Sequence, residues 1–158
     1  MQKRFLTVLV WVLTLSISLF AQTRKHDKKA GGSGPDKAYL QKIWDGWGTL
    51  DASHQAQFYA KGDHTFFDVA PLKYNNWDEY QKGVGDILKG YKSMRFTVND
   101  DAQVHPHGDL AWVSATIKED ATTTAGKHEM GNLRWTAVFE KQGGQWLIVH
   151  EHVSEPAQ

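Results

Sequence analysis

The sequence predicts an α+β fold in which N-terminal helices pack on one face of an antiparallel sheet. Three observations predict it. Apolar residues recur at i, i+3 and i+4 as far as about Leu88, the period falls to two after Tyr91, and glycine-bearing breaks divide the second half into hairpins. A chain of 158 residues suits one domain, because this length buries a single adequate core but rarely two. With no cysteine it relies on that core rather than on disulfides, and 7 tryptophans point to a core or pocket rich in aromatic rings. The 18 Lys+Arg balance 18 Asp+Glu, which gives no electrostatic case for nucleic acid or an anionic membrane surface as a partner.

Residues 1–21 read as a secretory signal: Lys3 and Arg4 precede an apolar run over 5–20 that ends at Ala21. The other reading of the same run is a retained membrane anchor, but it is short for a span of about 20 residues. Export to the periplasm or the extracellular space is therefore expected, with no membrane attachment beyond the cleaved signal. Residues 22–35 are charged, then glycine-rich, and read as a flexible linker. The folded domain is expected over 36–158. Tyr39, Leu40, Ile43, Trp44 and Trp47 form one face of a first helix capped by Asp36. Residues 51–59 continue as a second short helix, 64–69 as a short strand, and a third helix starts at Asn76 or Trp77 and runs to about Leu88, weakened by Gly83 and Gly85. Strands follow near 94–99, 110–124, 127–141 and 146–153, with turns at Gly108-Asp109 and Gly143-Gly144.

Alternation sorts the strands into two faces. Ala111, Val113, Ala115 and Ile117, then Trp135, Ala137 and Phe139, then Leu147, Val149, Glu151 and Val153 should face the helices. The opposite set carries Trp112, Arg134, Trp146, Ile148, His150 and His152, which is too aromatic for a solvated face and is expected to form a homodimer interface. The plainer alternative is a monomer with a few exposed rings.

Helices followed by a meander ending in GGQWLIVHEHVSEP resemble the SnoaL-like and ketosteroid-isomerase-like branch of the nuclear-transport-factor-2-like superfamily. Gly144, Trp146, Val149, His150, His152 and Ser154 also resemble the close of the calcium/calmodulin-dependent kinase II association domain, and Arg134-x-Thr136-x-Val138 fits the same pattern. The resemblance covers about 36–156. It implies a cone-shaped roll, with a curved antiparallel sheet carrying three N-terminal helices on its concave face. It leaves function open, because this fold hosts isomerases, dehydratases, cyclases, hydrolases and binding modules. Asp68 falls where the isomerase carries its general base. The isomerase's two oxyanion donors fall at Ile43 or Trp44 and at Thr136 or Ala137, which lack those groups, so steroid isomerisation is not implied. The association domain's pocket arginines fall near Ile117, Ala137 and Val153, all apolar, so its manner of binding small carboxylates is not implied either.

The catalytic candidates are Asp68 and Glu151. Asp68 is either a base in an apolar pocket or a turn residue ahead of Ala70-Pro71. Glu151, flanked by the inward Val149 and Val153, is either a functional acid or a structural one paired with a donor. Trp44, Trp47, Tyr59, Phe66, Tyr80 and Trp135 are candidates for the wall of a pocket holding a small apolar molecule, or else plain core. His105-Pro106-His107 and His150-Glu151-His152 are read as structural or interface histidines rather than metal ligands, because no third ligand is spaced to converge on them. No phosphate loop, nucleophile elbow or paired-cysteine motif is present, and no cofactor is expected. The two functional readings are an exported small-ligand domain, acting by general acid/base chemistry if it is an enzyme, and a non-catalytic dimeric module.

Overall fold

In the computed structural model of the chain, residues 33–157 are described; the expected leader (1–21) and most of the expected linker (22–35) lie outside the described residues. Asp36 starts the first helix, α1 (Lys37–Gly48), by accepting the Tyr39 N–H at 2.8 Å. Leu40, Ile43, Trp44 and Trp47 form its buried stripe. The second expected helix is a 3₁₀ helix, Ala52–Gln57, capped by Asp51. Only Phe66–Phe67 (β1) of the expected 64–69 strand is extended. The second α-helix, α2 (Trp77–Leu88), begins after Asn76, whose side chain accepts the Glu79 N–H at 2.9 Å, while Glu79 reaches back to the Asn75 N–H. Gly83 belongs inside this helix for a steric reason: a Cβ there would lie 2.3 Å from the Tyr74 ring.

The sheet follows as β2 (Tyr91–Val98), β3 (Gln103–His107), β4 (Leu110–Thr123), β5 (His128–Gln142) and β6 (Gln145–Ser154). Its order is β1-β6-β5-β4-β2, with β3 also paired to β4. The sheet is curved and mixed, which corrects the expected all-antiparallel one: β1 runs parallel to β6, pairing Phe66 with Glu151. The strand β3 was not marked by the sequence, because Pro106 interrupts it; here it pairs with β4 alone, where a missing N–H is tolerated. Gly143 and Gly144 both take positive φ (58° and 86°), joining Gln142 to Gln145 in a two-residue hairpin turn.

The alternation expected for β4 and β5 holds: Ala111, Val113, Ala115, Ile117, Trp135, Ala137 and Phe139 are all buried. On β6 it holds only in the second half. Val138 pairs with His150 but Phe139 pairs with Ile148, so Val149 is an extra residue in a β-bulge. The bulge shifts the phase by one. Trp146 and Ile148 are therefore buried in the core, and Leu147 and Val149 are only partly buried, while Glu151 and Val153 are inward as expected. This corrects the placement of Trp146 and Ile148 on the outer face with the dimer set. Trp146 Nε1 instead donates to the Ser33 carbonyl at 3.3 Å, and the Trp146 carbonyl accepts the Tyr39 hydroxyl.

Candidate functional site

Beyond the bulge, β6 carries Glu151 into the core, 2% exposed. Its two oxygens are taken by two donors: Tyr59 Oη donates to Oε1 at 2.7 Å and Trp135 Nε1 to Oε2 at 2.8 Å. Tyr59 stacks on Trp77 at 4.5 Å, and Phe66 stacks on Tyr80 at 5.2 Å, so aromatic rings surround the carboxyl. Burial disfavours its charge and pushes its pKa up to about 7, against the opposing pull of the nearby Tyr80 hydroxyl and of the Tyr59 and Trp135 donors. The nearby Asp68 carboxylate adds to the rise.

Asp68 lies just past β1, partly buried. Its Oδ1 accepts the Val69 N–H at 2.7 Å and its Oδ2 accepts the Tyr80 hydroxyl at 3.1 Å. Burial again raises the pKa, opposed by those two donors and by His152. Tyr80 thus ties α2 to the Asp68 carboxylate, and its own hydroxyl is held well above its ordinary pKa by burial and by the two acids, Asp68 ahead of Glu151.

A cavity of about 300 Å³ opens beside Asp68. Trp44 and Trp47 of α1, Tyr80 and Val84 of α2, Met94 and Phe96 of β2, and Leu133 and Val153 of the sheet wall it. Three carboxylates line it: Asp68, Glu119 and Glu155. Of the residues expected at a pocket, Trp44, Trp47 and Tyr80 do line it. Tyr59, Phe66 and Trp135 do not; they pack behind Tyr80, around Glu151, as core. The two catalytic candidates divide in the same way. Asp68 faces the cavity, whereas Glu151 is outside its lining and spends both oxygens on buried donors. Glu119, Glu155, Leu133, Phe96 and Met94 were not singled out as pocket residues. Glu119 was legible, because it continues the inward phase of Ala115 and Ile117 along β4.

Of the outer set, Arg134 donates to the Glu155 carbonyl at 2.6 Å, and His150 Nδ1 meets the Thr65 carbonyl at 2.7 Å. Phe67 lies edge-on to both His150 and His152. Trp112 is 47% exposed and stacks on His105 at 3.7 Å. Among the described residues, no group of three or more His, Asp or Glu side chains is placed to hold a metal ion, and no helix is long and apolar enough to cross a membrane.

Known structures share this fold. A nuclear-transport-factor-2-like superfamily protein from Salmonella enterica serovar Typhimurium aligns with a TM-score of 0.67 at 18% identity, over 77% of this chain and 92% of that one. A candidate calcium/calmodulin dependent protein kinase II association domain from Xanthomonas campestris aligns with a TM-score of 0.67 at 21% identity, over 77% and 85% of the two chains. A ketosteroid isomerase-like protein from Erwinia carotovora atroseptica gives a TM-score of 0.65 at 14% identity, over 77% and 93%. At these identities the likeness speaks for the fold alone. The search of curated proteins finds no match. The family model of the SnoaL-like domain matches residues 48–158, the stretch that holds the bulged last strand, Asp68 and every cavity residue except Trp44 and Trp47, and the chain belongs to the SnoaL-like family.

Proposed function

We propose that this domain binds a small, largely apolar molecule in the cavity beside Asp68 and acts on it by general acid/base chemistry, with Asp68 as the base. The observation that carries this reading is a carboxylate on the wall of an apolar cavity, desolvated enough to raise its pKa and oriented by the Tyr80 hydroxyl and the Val69 N–H. A base in that setting is more proton-hungry than an exposed aspartate and can take a proton from an acidic carbon of a bound molecule. Tyr80 can return a hydrogen bond to Asp68 at each stage. Glu151 acts at one remove, holding Tyr59 and Trp135 behind the cavity wall. Membership of the SnoaL-like family and a ketosteroid isomerase-like structural neighbour agree with such a role.

The test uses 5-nitrobenzisoxazole, a compact neutral substrate whose ring opens when a base removes its carbon-bound proton and the N–O bond breaks to release a coloured phenolate. The wild-type chain should accelerate this elimination above an equal concentration of acetate. Asp68→Asn should lose that acceleration, roughly 10²-fold or more, with an unchanged far-UV spectrum. Equal rates for wild type and Asp68→Asn would remove Asp68 from the role.

A second reading is self-association through the outer face. The exposed Trp112–His105 stack and the exposed Leu110 beside it favour this, as does the likeness to an association-domain fold. Export directed by residues 1–21 belongs to the same proposal; recovery of a chain beginning at Gln22 from a periplasmic extract or the medium is the expected outcome.

A further inference from the structure

The charge of the cavity is one-sided. Asp68, Glu119 and Glu155 line it, and no lysine, arginine or histidine does. Asp68 has two donors, but among the described residues the Glu119 and Glu155 carboxylates have neither a hydrogen bond nor an ion pair. The cations close to this rim are engaged elsewhere: Lys127 pairs with Glu129 at 2.9 Å, and Arg134 is held on the Glu155 backbone carbonyl. Glu155 is exposed to solvent but Glu119 is half-buried, where a carboxylate without a partner is unfavourable and has as its natural complement a positive charge supplied by the ligand. Burial, then repulsion from Glu155, Glu129 and Asp68, disfavours the Glu119 charge further.

The apolar walls point independently to the same ligand chemistry. Trp44, Trp47, Tyr80 and Phe96 present aromatic surface to the cavity, and aromatic faces attract cations most strongly where water is excluded.

Resting on the cavity reading above and narrowing it, we infer that the ligand is a cationic amine: a compact aromatic or aliphatic body with a protonated nitrogen directed at Glu119 and Glu155, which leaves Asp68 free as the base. The volume of about 300 Å³ equals on the order of ten water molecules, so the body has on the order of ten non-hydrogen atoms.

Three probes of nearly equal shape separate the charge classes: 2-phenylethylamine, 2-phenylethanol and phenylacetate. Each is titrated calorimetrically into the full chain at neutral pH. The amine should bind about tenfold more tightly than the alcohol, the acid should bind most weakly, and added salt should narrow the gap. Glu119→Gln should reduce the amine's advantage several-fold and leave the alcohol unchanged; Glu155→Gln serves as a second variant if Glu119→Gln alters the melting curve. Equal affinities, or an acid that binds best, overturn the cationic assignment while leaving the cavity reading in place. Binding of none of the three overturns both.

Discussion

At the residue scale, Glu151 couples stability to pH. Its pKa is raised from 4.5 to about 7 in the fold, so between those values the folded chain holds a proton that the unfolded chain has released. Stability from this group is fully present below about pH 4.5 and is lost as pH rises through 7, a change on the order of 3 kcal/mol. Asp68, raised in the same direction, adds a smaller slope of the same sign at lower pH. Urea titrations at stepped pH should therefore show unfolding free energy falling across this window, and Glu151→Gln should flatten most of the fall. Because Gln can still accept from one donor and give to the Tyr59 oxygen, that variant should fold. Glu151→Ala strands both the Tyr59 hydroxyl and the Trp135 N–H and should cost about 2–4 kcal/mol. A flat wild-type profile would show that Glu151 keeps an ordinary pKa. That an inward acid sat at this position was legible from its flanking Val153; that Tyr59 and Trp135 would share it was not, because hydrogen-bond partners 92 and 16 residues away leave no local spacing.

At the scale of elements, the bulge at Val149 decides which side chains enter the core. Residues 146–149 read Trp-Leu-Ile-Val, an unbroken apolar run that carries no phase of its own, so alternation had to be extrapolated backwards from Glu151 and Val153. That extrapolation failed at the single inserted residue. On β4 and β5 polar residues alternate with apolar ones, the phase is explicit, and the faces were legible over their central stretches. The α2 helix offers a test of the same packing logic. Gly83→Ala would ordinarily favour a helix by about 1 kcal/mol. Here the added Cβ meets the Tyr74 ring at 2.3 Å and its hydroxyl at 2.5 Å, so the variant should instead lose about 1–3 kcal/mol in a thermal melt. A more stable Gly83→Ala protein would mean that Tyr74 does not pack against α2 as described.

At the scale of the whole molecule, the α+β architecture followed from the change of period at Tyr91, and the family match and structural neighbours agree with it. The cavity was less legible. Its walls come from both α-helices, the segment after β1 and four strands, and only the three-dimensional arrangement shows that Tyr59, Phe66 and Trp135 are core while Glu119 and Glu155 are rim. Self-association belongs to this scale too. If the outer face is an interface, Trp112→Ala, which removes an exposed ring stacked on His105, should lower the apparent mass in sizing experiments without shifting the melting temperature. An unchanged elution volume would remove Trp112 from any such interface.

The account turns on two acids with separate roles: Asp68 at the cavity, Glu151 sealed behind it. The most direct measurement is a carbon-13 titration of the side-chain carboxyls, assigned with Asp68→Asn and Glu151→Gln and repeated with saturating 2-phenylethylamine. Asp68 should titrate above the ordinary aspartate value of 3.8 and Glu151 near 7, and the ligand should move the Asp68 signal far more than that of Glu151. An Asp68 that titrates at or below 3.8 and ignores the ligand would contradict the account.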